Sequence, residues 1–218
     1  SFSSKKDSTY KKYDGGPPAE PILSKKKGLN RFVWNMRHST MPGVPDVCLE
    51  CSYRGHKAIP GKYIVTLKAG DQEITANAEI LKNPLYPTDA ATYKEYDNIM
   101  GGMEKELTMM HKMINSMYAK RLQLESLLKT LTDAKYVALA KEGGLLANKM
   151  KTWDEEMIQR KVKVYDDVEN FVAKFTANYI FLINQTESEI PRVNQPSLNR
   201  LQELNKEWAG LKARGVEI

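Results

Sequence analysis

Two cysteines and three histidines among 218 residues leave little from which to build a disulfide framework, paired zinc knuckles or a cysteine–histidine nucleophilic centre. No apolar run approaches the ~18–20 residues needed to cross a bilayer, and the opening Ser-Phe-Ser-Ser-Lys-Lys-Asp lacks the apolar centre of a signal peptide. A Gly-rich phosphate loop, a nucleophile elbow and a paired metal motif are all missing. The surplus of base is small: 33 Lys and Arg against 27 Asp and Glu, a net charge of +6. Apart from Lys5-Lys6, Lys11-Lys12 and Lys25-Lys26-Lys27, that charge is scattered and has no interleaved aromatics, which argues against a nucleic-acid partner. What is present, 41% hydrophobic and 28% charged residues, is the mixture of a folded chain, and the length suits two small domains.

The first part reads as β-structure. Residues 5–28, rich in Lys, Ser, Gly and Pro, carry no apolar period and are expected to be a long loop. Leu29 to Arg37 alternates with period two and predicts a strand; "MPGVPD" at 41–46 is turn chemistry, and Val47 to Tyr53 suggests another short strand. Tyr63, Val65 and Leu67, then Ile74, Ala76, Ala78 and Ile80, flank Ala69-Gly70-Asp71 as the two arms of a hairpin. Four or five strands in all suit part of a β-sandwich, with Trp34, Tyr63, Val65 and Leu67 in its core.

Beyond Pro84 and Pro87 the period changes. With Thr88 or Asp89 as N-cap, Tyr93, Tyr96, Met100, Met103, Leu107, Met110, Ile114, Met117, Arg121, Leu124 and Leu128 recur at alternating spacings of three and four. After a break at Thr132-Asp133 the seam resumes at Tyr136, Leu139, Gly143, Leu146, Met150, Trp153, Met157, Arg160 and Val164. It then drifts through Val168, Phe171, Phe175 and Leu182 as a stutter would. A connection this short predicts an antiparallel pair. "NQTESEIPRVNQPS" at 184–197 reads as a loop, and Leu198, Leu201, Leu204, Trp208 and Leu211 mark a third helix able to fold back and cover the seam. The expectation is therefore a segregated α+β chain. A partial immunoglobulin-like β-sandwich occupies residues 1–84, and a long antiparallel helical hairpin or three-helix bundle occupies 88–218, with helices at about 89–130, 133–183 and 197–214.

The order "FSSKKD", "GLNRFVWNMRHSTMPG", "IPGKYIVTLKAGDQEITANAEILKNP", long helices and "ANYIFLINQTESEIPRVNQPS" resembles the C-terminal region of large exported Bacteroidetes proteins. Those proteins carry sortilin-like or BNR-repeat β-propellers and are often labelled glycosyl hydrolases. The Gly28-Leu29-Asn30-Arg31-Phe32 run with Trp34 and Arg37, followed by Pro60-Gly61, Tyr63, Val65 and Leu67, is also similar to the immunoglobulin-like module of the flagellar-hook capping protein. "CLEC" departs from that pattern. The resemblance implies an exported setting, at the cell surface, in the periplasm or secreted. It also implies that "SFSS" ends a strand whose partner lies upstream, in a longer parent chain. It makes this region a non-catalytic accessory part that supports or docks the propeller of the same parent chain. The alternatives are a share in a hydrolase whose active site lies in the propeller, and a helical module for self-association or for other cell-surface proteins.

Candidate chemistry is sparse. Cys48 and Cys51 form one C-x-x-C, with His38 and His56 near by, so four zinc-type donors fall within nineteen residues of sequence. Unlinked thiols, a disulfide and a shared metal all remain open; in a strand, residues three apart face opposite sides, and joining them needs a turn at Leu49-Glu50. His111 flanks the seam and reads as packed or solvated. Asp154-Glu155-Glu156 and Asp166-Asp167 supply carboxylates, but neighbours on a helix diverge by about 100°, unlike the facing acid pair of a glycosidase. No catalytic residue or cofactor is assigned. Six seam methionines read as core, and the Asn184-Gln185-Thr186 sequon carries no weight in the bacterial setting that the resemblance implies.

Overall fold

The structure, a computed structural model, describes residues 1–188 and 191–218. Among these lie one two-stranded antiparallel sheet, β1 (Gly61–Ala69) and β2 (Gln72–Ile80), and four helices: α1 (Ala90–Leu128), α2 (Val137–Met157), α3 (Phe175–Thr186) and α4 (Gln195–Glu217). Glu189 and Ile190, within the loop expected at 184–197, lie outside the described residues.

α1 starts where the second proline leaves the chain extended. The Asp89 carboxylate accepts the Thr92 amide at 2.7 Å, satisfying one of the four free N–H groups of the first turn. Its seam is dry from Tyr93 through Met117. α2 returns antiparallel: Leu128 lies against Gly143, while farther from the turn Arg160, just past the end of α2, lies over the Tyr118 ring. A Cβ on Gly143 would stand 2.6 Å from the Leu128 side chain, so the absence of one permits that close approach. α3 packs on α1, and α4 packs on α2 and α3. Trp153 Nε1 donates to the Leu211 carbonyl at 2.7 Å, Trp208 Nε1 donates to Glu106 at 2.7 Å, and Phe175 stacks on Trp208. Each large buried side chain of this kind contributes roughly 1.5–3 kcal/mol.

Three expectations are corrected. The second helix does not run from 133 to 183. It ends at Met157, and an irregular stretch with one short 3₁₀ turn (Tyr165–Glu169) precedes α3, so the apparent stutter is a break in the helix. Arg160, an expected seam member, instead turns back to clasp the buried Asp154 through two hydrogen bonds of 2.5 and 2.7 Å.

Leu29–Arg37 is not a strand. Asn35 accepts the Arg37 amide in an Asx turn and Met36 adopts φ 56, so the alternation is cut before any ladder forms. Val47–Tyr53 is not a strand either. Val47, Cys48 and Leu49 are buried in succession, and the segment folds through turns at Val44–Val47 and Leu49–Cys51. Met41, Val44, Val47, Leu49 and Tyr53 enter the same hydrophobic cluster as the helices.

Of the expected strands, those of the hairpin alone form. Gly70 supplies the φ of 59 that a two-residue turn needs at its first position. The register Tyr63↔Ala78, Val65↔Ala76, Leu67↔Ile74 sets six apolar residues on one face, but Val65 and Leu67 are more than half exposed and cover no core. Trp34 and Tyr63 are half-buried, 6.1 Å apart edge to face.

Candidate functional site

The segment before the hairpin is held by a stripe of polar residues on α1. Asp97, Glu104 and His111 each follow a seam residue, Tyr96, Met103 and Met110, and recur at intervals of seven, so they share one helix face. Opposite them, residues 36–41 and 53–58 run as an irregular antiparallel ribbon. The His38 amide donates to the His56 carbonyl (2.9 Å), Ala58 to Met36 (2.7 Å) and Met41 to Tyr53 (2.8 Å). Gly55 makes this approach feasible, because a Cβ there would sit 2.7 Å from the His38 backbone.

That pairing sets two imidazoles side by side. The rings of His38 and His56 stack with centroids 4.2 Å apart and planes 15° from parallel. His56 is buried between two carboxylates. Its Nδ1 lies 2.9 Å from Glu104 Oε1, which also accepts the His56 backbone amide at 2.6 Å, and its Nε2 lies 3.0 Å from Asp97 Oδ1. His38 Nε2 reaches the same Asp97 oxygen at 3.4 Å. Burial alone would pull the His56 pKa down, but the hydrogen bonds and charges of Glu104 and Asp97 outweigh it and leave the pKa above the ordinary histidine value. Arg37 closes one side, donating to Gly55 O at 2.9 Å and pairing with Glu187 at 2.6 Å.

Of the four donors that sequence spacing suggested, the fold gathers His38 and His56, adds Asp97, and leaves the cysteines elsewhere. Both thiols are free. They lie instead in the wall of an apolar cavity of about 500 Å³, bounded by 48–51 and by residues between Gln159 and Phe181. Burial, with a contribution from the Glu50 charge, pushes Cys51 up to about 11, so its thiol stays protonated and is a poor metal ligand as it stands. Asp97 and Glu104 escaped the sequence reading; the seven-residue polar stripe beside the seam was the available signal.

The other candidates serve structure. His111 is fully buried, its Nδ1 donating to Pro42 O at 2.7 Å; burial lowers its pKa to about 4, against the raising effect of that hydrogen bond. One turn on, Asn115 donates to Gly43 O at 3.1 Å. Asp154 is neutralised by Arg160, Glu156 pairs with Arg214, and Asp167 accepts the Lys163 and Val164 amides. These carboxylates do not face one another across a cleft. Asn184, in the sequon, clamps Ser52 from both sides, accepting its amide at 2.7 Å and donating to its carbonyl at 3.0 Å.

No helix of the described residues is long and apolar enough to cross a membrane. Compared with protein-family models, curated proteins and solved structures, the chain matches none.

Proposed function

We propose that this chain is a non-catalytic accessory region of an exported β-propeller protein. In this reading the helices act as a bundle that supports the propeller. The hairpin is one edge of an immunoglobulin-like sandwich, and the facing sheet comes from the parent chain. The exported setting and the propeller rest on the sequence resemblance. The observation that supports docking is the largely uncovered apolar face of the hairpin: Tyr63, Val65, Leu67, Ile74, Ala76 and Ala78 lie together, while Lys62, Ile64, Thr66, Lys68, Glu73, Thr75, Asn77 and Glu79, polar but for Ile64, occupy the other side. A two-stranded ribbon is marginal alone in water, and one this amphipathic gains most from a second apolar sheet.

Carbene footprinting of the full-length parent protein beside the isolated chain tests this directly. Protection of Tyr63, Val65, Leu67 and Ile74 in the parent alone is the expected result; equal labelling in both refutes docking through the hairpin. Turnover of glycans or peptides by the isolated chain, lost on changing one or two carboxylates, would instead favour the enzymatic alternative.

A specific observation also favours the reading as a self-association module. At the far end of the helical pair Leu122, Leu127, Val137, Leu139 and Leu145 are exposed, leaving an apolar tip that could pair with a second copy. Light scattering across a concentration series separates the two: a constant monomer mass excludes association through the tip.

A further inference from the structure

We propose that His38, His56 and Asp97 form a binding site for a divalent cation of the Zn²⁺ class, with Glu104 as the residue that orients His56. The proposal is independent of how the hairpin or the tip is used. Its basis is the convergence of three donor atoms from two separate parts of the chain. One donor atom from each of His38, His56 and Asp97 lies within 4.8 Å of the other two, and Asp97 Oδ1 stands 3.0 Å from His56 Nε2 and 3.4 Å from His38 Nε2. A tetrahedral ion with bonds of about 2.0–2.1 Å requires its ligands to be roughly 3.3 Å apart. The donor distances are therefore close to those of a ligand polygon; because the two rings stack within 15° of parallel, the half-exposed His38 ring must swing out of the stack to aim its lone pair at the same ion.

Glu104 fixes the chemistry of the central ligand. Its Oε1 accepts from His56 Nδ1–H while also holding the His56 backbone amide, which leaves Nε2 facing Asp97, where an ion would take the place of the proton that Nε2 shares with that carboxylate. This carboxylate–histidine pairing is the usual support of a metal-bound imidazole. Two nitrogen donors and one carboxylate suit Zn²⁺ rather than Ca²⁺ or Mg²⁺, which prefer six or more oxygens. The side chains of His38 and Asp97 are 47% and 32% exposed, so an ion can enter from solvent and keep water in the fourth position. Bound there, it would cross-link the 36–58 ribbon to α1.

The test is calorimetric titration of the 218-residue chain with Zn²⁺, alongside absorption spectra with Co²⁺ as a probe. One ion per chain is expected, with a tetrahedral Co²⁺ spectrum that lacks the thiolate charge-transfer band. His38→Ala and Asp97→Ala, both at part-exposed side chains, should each abolish saturable binding while leaving the far-UV circular dichroism unchanged. Glu104→Gln should weaken binding by about 10–100-fold. Absence of saturable binding by the unmodified chain would overturn the site. So would binding that survives both His38→Ala and Asp97→Ala, or a thiolate band placing the ion on Cys48 and Cys51.

Discussion

The two ends of the long helical pair carry the same repeat and meet different fates. From Tyr93 to Met117 the α1 seam is buried, roofed by α3 and by Met41, Val44 and Tyr53, while α4 covers Trp153 and the adjoining part of α2. From Arg121 onward the same spacing leads only to half-buried Leu124 and Leu128, and Leu139 and Leu146 opposite them are exposed. A heptad pattern says which residues point the same way. Whether they become dry depends on a third and fourth layer, and here those layers stop short of the tip.

The largest expected break in this comparison comes from truncating the roofed end. Leu107→Ala, at a site with no exposure, should cost about 2–5 kcal/mol in chemical denaturation, because the cavity it leaves is enclosed on every side. A loss below 1 kcal/mol would mean that the end is not packed as described. Next in size is a pH effect confined to that same end. The unfolded chain protonates His111 near 6.5, whereas the folded chain resists until about 4. The unfolded state therefore binds more protons in this window. The His111 contribution is full above about pH 6.5 and declines as pH falls toward 4, by on the order of 3 kcal/mol. In His111→Gln, denaturation midpoints should show a flatter dependence over that range, and an unchanged slope would refute the assignment.

Smaller effects sharpen the contrast. Asn194→Ala removes the side chain that accepts the Ser197 amide at 2.8 Å and should cost about 1 kcal/mol by loosening the start of α4. Smallest of all, Leu127→Ser at the exposed tip should change monomer stability by within about 0.5 kcal/mol. Should the tip mediate self-association, the same substitution lowers the apparent mass in light scattering while leaving the denaturation midpoint of the dilute monomer in place. A large loss of monomer stability would show that the tip is packed after all.

Much of this architecture was legible because it is local. The Asp89 cap, the start of α1, the antiparallel return and the Gly70-Asp71 hairpin follow from capping chemistry, period and a turn glycine. The misreadings arose where period was not decisive. "LNRFVWNMR" alternates, yet an Asx turn at Asn35 and the left-handed Met36 remove it from any ladder. The residues after Met157 continue an apolar rhythm, yet Ile158 is already extended (φ −148, ψ 145) and Arg160 is drawn back to Asp154. At the histidine–carboxylate cluster, sequence proximity grouped His38 and His56 with two cysteines. The fold replaced those cysteines with Asp97 from a helix more than forty residues onward.

By itself the sequence determined where α1, α4 and the hairpin begin, which faces of them are apolar, and that the chain lacks the motifs of phosphate-binding and nucleophilic enzymes. Those properties depend on neighbours within a few residues, through hydrogen bonds and side-chain direction. Tertiary structure alone decided which apolar faces are covered, which acids are neutralised, and that two histidines meet two carboxylates beside α1. Burial and electrostatic pairing depend on distance in space, and the ribbon and helix that bring those groups together are far apart along the chain.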